Sequence, residues 1–366
     1  MRRTGRAAEG RNERPYEGAE VKTHKHLYER ICAFENVHRA YIKARRGKRY
    51  KADAIRFSLD LEANLINIQN HLIWKSYQPG PYRFFMVREP KERLIAALPF
   101  FDRVVHHCLC NVIEPIFERT FIRDSYACRT GAGVLAGVLR TTQFLRDATR
   151  RWGAVYCLKG DVAKYFYSVD HATLKALIRR KIACPDTLAL IDRIIDSPGD
   201  RVGMPIGNLT SQLFANVYLS ALDHYVKDEL RVRYYVRYMD DFVLFHPDKA
   251  FLSATMERID GLLRDRLRLT LNGKTSIFPV GRRCVDYLGY RMWPQHKLLR
   301  KSNLRRTRRK FRKYARLYRE GLVDLDAIRP RIASWLGHAK HADTWHIRRQ
   351  VLGETVFSRP SPETGR

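Results

Sequence analysis

Acidic residues are scarce in this chain: 38 Asp and Glu stand against 69 Lys and Arg, a formal charge of +31 over 366 residues. A field that positive calls for a polyanionic partner, either nucleic acid or an anionic membrane surface. Long apolar runs are missing as well. None approaches the roughly 20 residues a spanning helix needs. Met1–Glu20 is polar, without the apolar stretch of a signal peptide. The expected partner is therefore nucleic acid, with no membrane, and the expected compartment is the cytoplasm. Paired cysteines are absent too. The seven cysteines (32, 108, 110, 128, 157, 184 and 284) are scattered and form no C-x-x-C pair. That argues against a zinc site and suits a reducing environment. There is no internal repeat and no low-complexity linker. Apolar material is plentiful: 45% hydrophobic residues with 17 Phe, 19 Tyr and 5 Trp. Wholesale disorder is excluded, and the length allows two or three compact units.

Residues 1–23 are rich in Arg, Gly and Glu and read as a flexible basic arm. His24–Trp74 reads as helical, with a basic stretch over Arg39–Lys51 in which seven of thirteen residues are Lys or Arg. Gln78-Pro79-Gly80-Pro81 breaks the helical region. An extended segment follows at Tyr82–Arg88, then a turn at Glu89-Pro90-Lys91 and apolar helical spacing over Ile95–Arg119. Ala154–Val162 reads as a strand leading to a helix from about His171. Gly203–Lys227 opens as a Gly/Pro loop and continues as a helix. Arg233–His246 is two β-rich runs meeting at Met239-Asp240-Asp241, the pattern of a hairpin. Lys297–Arg319 carries twelve cations and no acid in 23 residues. A helical segment with Trp335 and Trp345 precedes a loose tail at 353–366.

The carboxylates carry the chemistry. Nucleotide polymerisation must deprotonate a 3′-hydroxyl and stabilise charge on a departing pyrophosphate. Two Mg²⁺ ions about 4 Å apart do both when a few carboxylates hold them. Tyr238-Met239-Asp240-Asp241 sits at a hairpin tip between apolar runs, where paired aspartates do not belong to a strand interior. By itself an Asp-rich turn is an ordinary surface feature. The apolar run Val155–Gly160 ending in Asp161 alters that balance. If that strand pairs beside the hairpin, Asp161 faces Asp240, and three clustered carboxylates call for metal.

In order along the chain, these motifs resemble the reverse transcriptase family from about Tyr82 to Arg291. Lys91-Glu92-Arg93 resembles the fingers segment that touches the incoming triphosphate, and Arg129–Gly133 the glycine-rich segment after it. Asp161 with Phe166 is similar to the first palm segment, whose aromatic lies beneath the incoming sugar. Tyr165 or Tyr167 then belongs to the core. Tyr238–Asp241 is similar to the signature box. Leu271–Thr275 resembles the segment whose lysine, here Lys274, lies near the leaving phosphates. Tyr287-Leu288-Gly289-Tyr290 resembles the primer-grip hairpin.

The resemblance implies an α+β right-hand polymerase fold. Its expected parts are fingers with an N-terminal helical region over 24–153, a palm with a small antiparallel sheet over 154–293, and a basic helical thumb over 294–352. It implies catalysis by Asp161, Asp240 and Asp241. Two Mg²⁺ ions, with Mn²⁺ as a substitute, would be held by these three and Val162. Lys91, Arg93, Phe166, Ile206, Gly207, Gln212 and Lys274 would contact the deoxynucleoside triphosphate. Twelve cations interleaved with Phe311, Tyr314 and Tyr318 suit a helix lying along a template–primer duplex. Arg305, Arg306, Arg308, Arg309, Lys310, Arg312 and Lys313 are the expected phosphate contacts. Few residues follow Leu352, so no RNase H or endonuclease domain is expected there.

Met204–Gln212 narrows the subgroup. Most reverse transcriptases carry Gln-Gly where this chain has Ile206-Gly207. The Ile-Gly-x-x-x-Ser-Gln pattern and Ser334–Ala342 resemble the enzymes of diversity-generating retroelements. That likeness implies a bacterial or phage-encoded enzyme copying a template-repeat RNA into cDNA with errors at adenines, aided by a small basic helical accessory protein. The alternatives are a group II intron or retron-type reverse transcriptase, and a non-catalytic RNA-binding scaffold on the same fold.

Overall fold

The structure, a computed structural model, describes residues 23–88 and 92–359. Nearly all of the predicted basic arm, and the turn with Lys91, lie outside the described residues. Four helices open the fold: α1 (Tyr28–Cys32), α2 (Phe34–Arg45), α3 (Ala52–Leu59) and α4 (Leu61–Ile73). Their apolar faces bury Val37, Tyr41, Phe57, Leu65 and Ile68 against the long α5 (Phe100–Glu118). Between them lies an antiparallel hairpin, β1 (Arg83–Val87) with β2 (Arg93–Ala97).

Apolar spacing predicts a helix from Ile95, but the chain is extended through Ala97. Pairing with β1 holds it so, and the Ala96 amide donates to the Ile206 carbonyl at 2.9 Å. Pro99 biases Leu98 away from the helical region, which sets the helix start at Phe100.

The chain continues through α6 (Val134–Trp152), β3 (Tyr156–Asp161), α7 (Tyr165–Ser168), α8 (His171–Arg179), α9 (Pro185–Asp196) and α10 (Leu209–His224). After a π-helical turn at Tyr225–Glu229 come β4 (Tyr234–Tyr238), β5 (Asp241–His246), α11 (Lys249–Leu267) and β6 (Ser276–Pro279). Strands β7 (Val285–Tyr287), β8 (Tyr290–Met292) and β9 (Lys297–Leu299) form a small sheet. The helices α12 (Lys301–Arg319), α13 (Leu325–Ala339) and α14 (Trp345–Gly353) close the fold. The basic block read as one helix is thus split. Its first three residues pair with β8, with Leu299 buried, and helix begins only at Lys301.

The central sheet, ordered β4-β5-β3-β6, is antiparallel throughout. Side chains alternate across a strand, so its two faces feed separate cores. Leu158, Tyr235, Phe242 and Leu244 join the larger core with α5, α10 and α11. Cys157, Tyr234, Val236, Val243 and Phe245 join a second core with α6 and the β7–β9 sheet. Covered on both faces, the strands read as nearly continuous apolar runs. Gly160 is required where β3 crosses Phe242, because a Cβ there would lie 2.2 Å from the ring's Cζ. Among the described residues no helix is long and apolar enough to cross a membrane.

Candidate active site at the sheet end

Three segments meet at one end of the central sheet. β3 stops at Asp161, and β4 turns through Met239 and Asp240 into β5, which starts at Asp241. The antiparallel register makes Asp241 the Cα partner of both Tyr238 and Asp161. The sequence expectation paired Asp161 with Asp240. The register places it opposite Asp241 instead, because Asp240 occupies the turn, where its carbonyl accepts from the Val162 amide just after β3 at 3.2 Å. Met239 sits at φ +58°, the left-handed region that costs a non-glycine residue roughly 1 kcal/mol.

The carboxylates share one half-exposed edge. Burial pushes the Asp240 carboxyl up to about 6, with repulsion from Asp241 and Asp161 adding to the rise. Its own backbone amide and the Arg93 guanidinium pull the other way. Arg93 opens β2 and is exposed, so the hairpin brings a cation to the carboxylate edge.

Asn272 lies among the support residues and was not singled out from the sequence. Its side chain donates to Asp161 Oδ2 at 2.9 Å and its amide to the Asp161 carbonyl at 2.7 Å. Its Oδ1 accepts from the Lys274 amide at 3.1 Å, which fixes the backbone from which the exposed Lys274 projects. An Asn followed two residues later by a bonded amide is an Asx turn, the only local signal that could have flagged it. Tyr287 donates to the Asp241 carbonyl at 3.1 Å, so the hairpin predicted as a primer grip also steadies this edge. Its turn uses Leu288 and Gly289, both with positive φ, the geometry that suits right-twisted strands.

Val162 is buried directly after Asp161. Phe166 is half-buried on the short α7, edge-on to Tyr165 with ring centroids 5.5 Å apart. Tyr165 is core, donating to the Ala215 carbonyl at 2.6 Å, whereas Tyr167 is exposed at 54% and is not core. The shortness of α7 explains this, since one four-residue turn cannot bury three consecutive aromatics. The Met204 amide donates to the Phe166 carbonyl at 2.6 Å, and Ile206 follows in the same loop, bonded to β2. Gly207 has φ +124°, and a Cβ there would meet Ile95 Cγ2 at 2.9 Å and the Ala96 carbonyl at 3.2 Å. Only glycine fits this approach of loop to hairpin. Gln212 is exposed on the first turn of α10.

The expected duplex-binding cations lie apart, on α12. Arg305, Arg309, Lys310, Arg312 and Lys313 are exposed, and Phe311 alone is buried, edge-on to Trp335 at 5.5 Å. Arg306 is half-buried and donates to Asn303 at 2.6 Å, and Arg308 pairs with Glu354 at 3.0 Å. The Arg308 pair ties α12 to the end of α14, whereas the Arg306 bond stays within α12. At its start, α12 is joined to the β7–β8 turn by the Arg300 amide, which donates to the Gly289 carbonyl at 3.0 Å.

Helical elements around a two-faced sheet, with a carboxylate hairpin at its end, define the palm of a right-hand polymerase. The chain belongs to the reverse transcriptase (RNA-dependent DNA polymerase) family, whose model matches residues 88–292, more than half of the sequence. It is 26% identical to the Escherichia coli protein YkfC over 63% of this chain and 72% of that one. It is 23% identical to the group II intron-encoded protein LtrA of Lactococcus lactis over 56% of this chain and 36% of that one. Among solved structures, apo telomerase from Candida tropicalis matches with a TM-score of 0.48 and 11% identity, covering 63% of this chain and 50% of that one.

Proposed function

We propose that the chain copies RNA into DNA by nucleotidyl transfer at Asp161, Asp240 and Asp241, as the reverse transcriptase of a diversity-generating retroelement. The observation that carries the catalytic part is the register that sets Asp161 opposite Asp241 beside the Asp240 turn. Among the described residues, no three His, Cys, Asp or Glu side chains form a ready-made metal cluster. The donors at this edge are nonetheless hard oxygens, and burial, with repulsion from Asp241 and Asp161 added, raises the Asp240 carboxyl. That set suits Mg²⁺, which keeps waters and substrate phosphate oxygens in its shell and does not need a closed protein cage. Asp161, Asp240 and Asp241, with the Val162 backbone, would hold two such ions, with Mn²⁺ as a substitute. When bound, they supply activation of the primer hydroxyl and neutralisation of the triphosphate.

The chain's own residues do the rest. Arg93, with Lys91 beyond the described residues, attracts the phosphates of the deoxynucleoside triphosphate. Phe166 stacks under its sugar, and Lys274 hands a proton to the leaving pyrophosphate. Ile206, Gly207 and Gln212 border the nascent pair. The parts are fingers over 24–153, palm over 154–293 and thumb over 294–352. Template RNA and the RNA/cDNA duplex lie against α12, and a small basic helical protein assists.

Ile206 carries the subgroup. A Gln amide there would hydrogen-bond the nucleotide, whereas Ile offers only van der Waals contact, so a misoriented nucleotide forfeits nothing at this position. One hydrogen bond is worth about 1 kcal/mol, roughly five- to tenfold in discrimination. Ile206→Gln should therefore lower misincorporation opposite template adenines more than opposite other bases. Sequencing cDNA from both enzymes on one template tests this, and equal adenine error spectra would remove Ile206 as a fidelity determinant. The likeness to the Lactococcus lactis protein favours a second reading, a group II intron or retron-type enzyme. Flanking DNA separates the two: near-identical repeats differing at adenines of one copy support the first, and an intron-like RNA the second.

A further inference from the structure

A charged residue occupies a core position directly behind the carboxylate turn. By strand alternation Arg237 shares the face of Tyr235, which lies in the larger core, and Arg237 is itself fully buried. Its guanidinium grips Asp223 of α10 with both prongs, Nε to Oδ1 at 2.7 Å and Nη2 to Oδ2 at 2.6 Å. Nη1 reaches Asn216 Oδ1 at 3.3 Å and, decisively, the Met239 carbonyl at 2.9 Å. Asp223, also fully buried, accepts a further bond from Tyr235 at 2.8 Å. The strand's backbone is held on its outer side too, since the Arg237 amide donates to the Asp124 carbonyl and its carbonyl accepts from Tyr126, both at 3.0 Å.

Burying such a pair is a poor route to stability, because well-packed apolar residues of similar size usually serve as well. What apolar residues cannot do is hold a carbonyl. The Met239 carbonyl belongs to the Met239–Asp240 peptide, whose N–H supports the Asp240 carboxylate from the other side. One peptide plane thus links the buried guanidinium to the carboxylate. A flip of that plane would lose both contacts and swing Asp240 away from Asp161 and Asp241.

We infer that Arg237, anchored by Asp223, is a positioning residue: it fixes the Met239–Asp240 peptide plane and thereby aims the Asp240 carboxylate at the reacting groups. The inference rests on the proposed catalytic role of Asp240. It assigns the α10–β4 ion pair to rate and leaves substrate binding to other residues.

The test replaces the buried ion pair and the tyrosine bonded to it, Arg237→Met with Asp223→Leu and Tyr235→Phe, so that no charge or hydroxyl is stranded. Primer extension on a homopolymeric RNA template gives kcat and KM for the nucleotide. Fluorescence anisotropy gives template–primer affinity, and thermal melting reports the fold. The expected result is a kcat lower by about 10- to 100-fold, because small misplacements of a reacting group cost that much. KM, affinity and melting temperature should stay close to those of the parent. If the triple variant fails to fold, Arg237→Lys decides. It keeps the buried charge opposite Asp223 but lacks the fork that reaches Met239, and the same selective loss of kcat is expected. A folded variant with parental kcat overturns the inference, as does a parallel decline of kcat, affinity and melting temperature. Asp240→Asn, assayed alongside, separates the two levels. If it keeps parental activity, the catalytic reading itself fails. If it is inactive while the Arg237 variants are fully active, only the positioning role fails.

Discussion

The sheet end and helix α12 both serve the proposed reaction, and they are built in opposite ways. At the sheet end each segment that carries a carboxylate is held by a side-chain hydrogen bond: Asp161 by Asn272, the Asp241 backbone by Tyr287, and the Met239 carbonyl before Asp240 by Arg237. Helix α12 buries a single side chain, Phe311, and presents a field of exposed cations. Chemistry demands placement to a fraction of an ångström. Backbone binding of a nucleic acid demands only charge at roughly the right spacing, and it gains from counterion release whatever the base sequence. Substitutions in the two regions should therefore fail differently.

The largest effect belongs to the sheet end. Asp161→Ala or Asp240→Ala should reduce primer extension by about a thousandfold or more, as removal of a metal-ligating group does, with RNA binding retained. Single-turnover extension together with filter binding checks both halves. Loss of RNA binding in step with synthesis would erase the contrast between the regions.

Next comes Asn272→Ala, which leaves all three carboxylates but removes the amide that donates to Asp161 Oδ2. Extension should slow by about 10- to 100-fold, and the divalent ion concentration for half-maximal rate should rise. An unchanged metal requirement would make Asn272 merely a loop residue.

On α12, Arg305, Arg309, Arg312 and Lys313 changed together to Gln should weaken template–primer binding for all sequences alike. The slope of log affinity against log salt should flatten by about 3, since fewer counterions are released. Arg308 is left in place because its pairing with Glu354 ties α12 to the end of α14. Loss of affinity for one RNA only, with the slope intact, would mean that the helix reads a particular structure.

The smallest effect is on stability. Because Asp240 titrates near 6 in the fold, above the usual carboxylate range, its charged form is penalised there. In metal-free buffer this group's contribution improves as pH falls from about 6 towards 4 and is worst above 6. Asp240→Asn should accordingly raise metal-free stability at pH 7.5 by about 1–2 kcal/mol, discounted for solvent screening, and by almost nothing at pH 4. Melting curves at the two pH values show the difference. A destabilised Asn variant at pH 7.5 would contradict the penalty that burial, with repulsion added, places on the Asp240 carboxylate.

How much of this the sequence discloses follows the same contrast. The Asp240–Asp241 turn, the strand ending in Asp161 and the charge of Lys297–Arg319 are local patterns, and each is legible from neighbouring residues alone. The pairing of Asp161 with Asp241 is not. One residue of register decides it, and the register depends on where the β4–β5 turn closes. Asn272 lies 111 residues from the carboxylate it holds, beyond any periodic signal. Ile95–Ala97 and Lys297–Leu299 suggest helix by sequence because short apolar or basic runs look alike in either state. Strand partners elsewhere in the chain settled them. Arg237 did leave a trace, a cation inside an apolar strand run, but its meaning required the buried Asp223 across the core.

The central claim is that Asp161 and Asp240 act as one unit at the sheet end. Single-nucleotide extension rates of the parent, Asp161→Asn, Asp240→Asn and the double variant on one RNA template test it most directly. Residues that act together are grossly non-additive, so the double variant should be no slower than either single one, with all three about a thousandfold or more below the parent. Losses that multiply in the double variant, or a single variant that extends the primer at the parental rate, would contradict it.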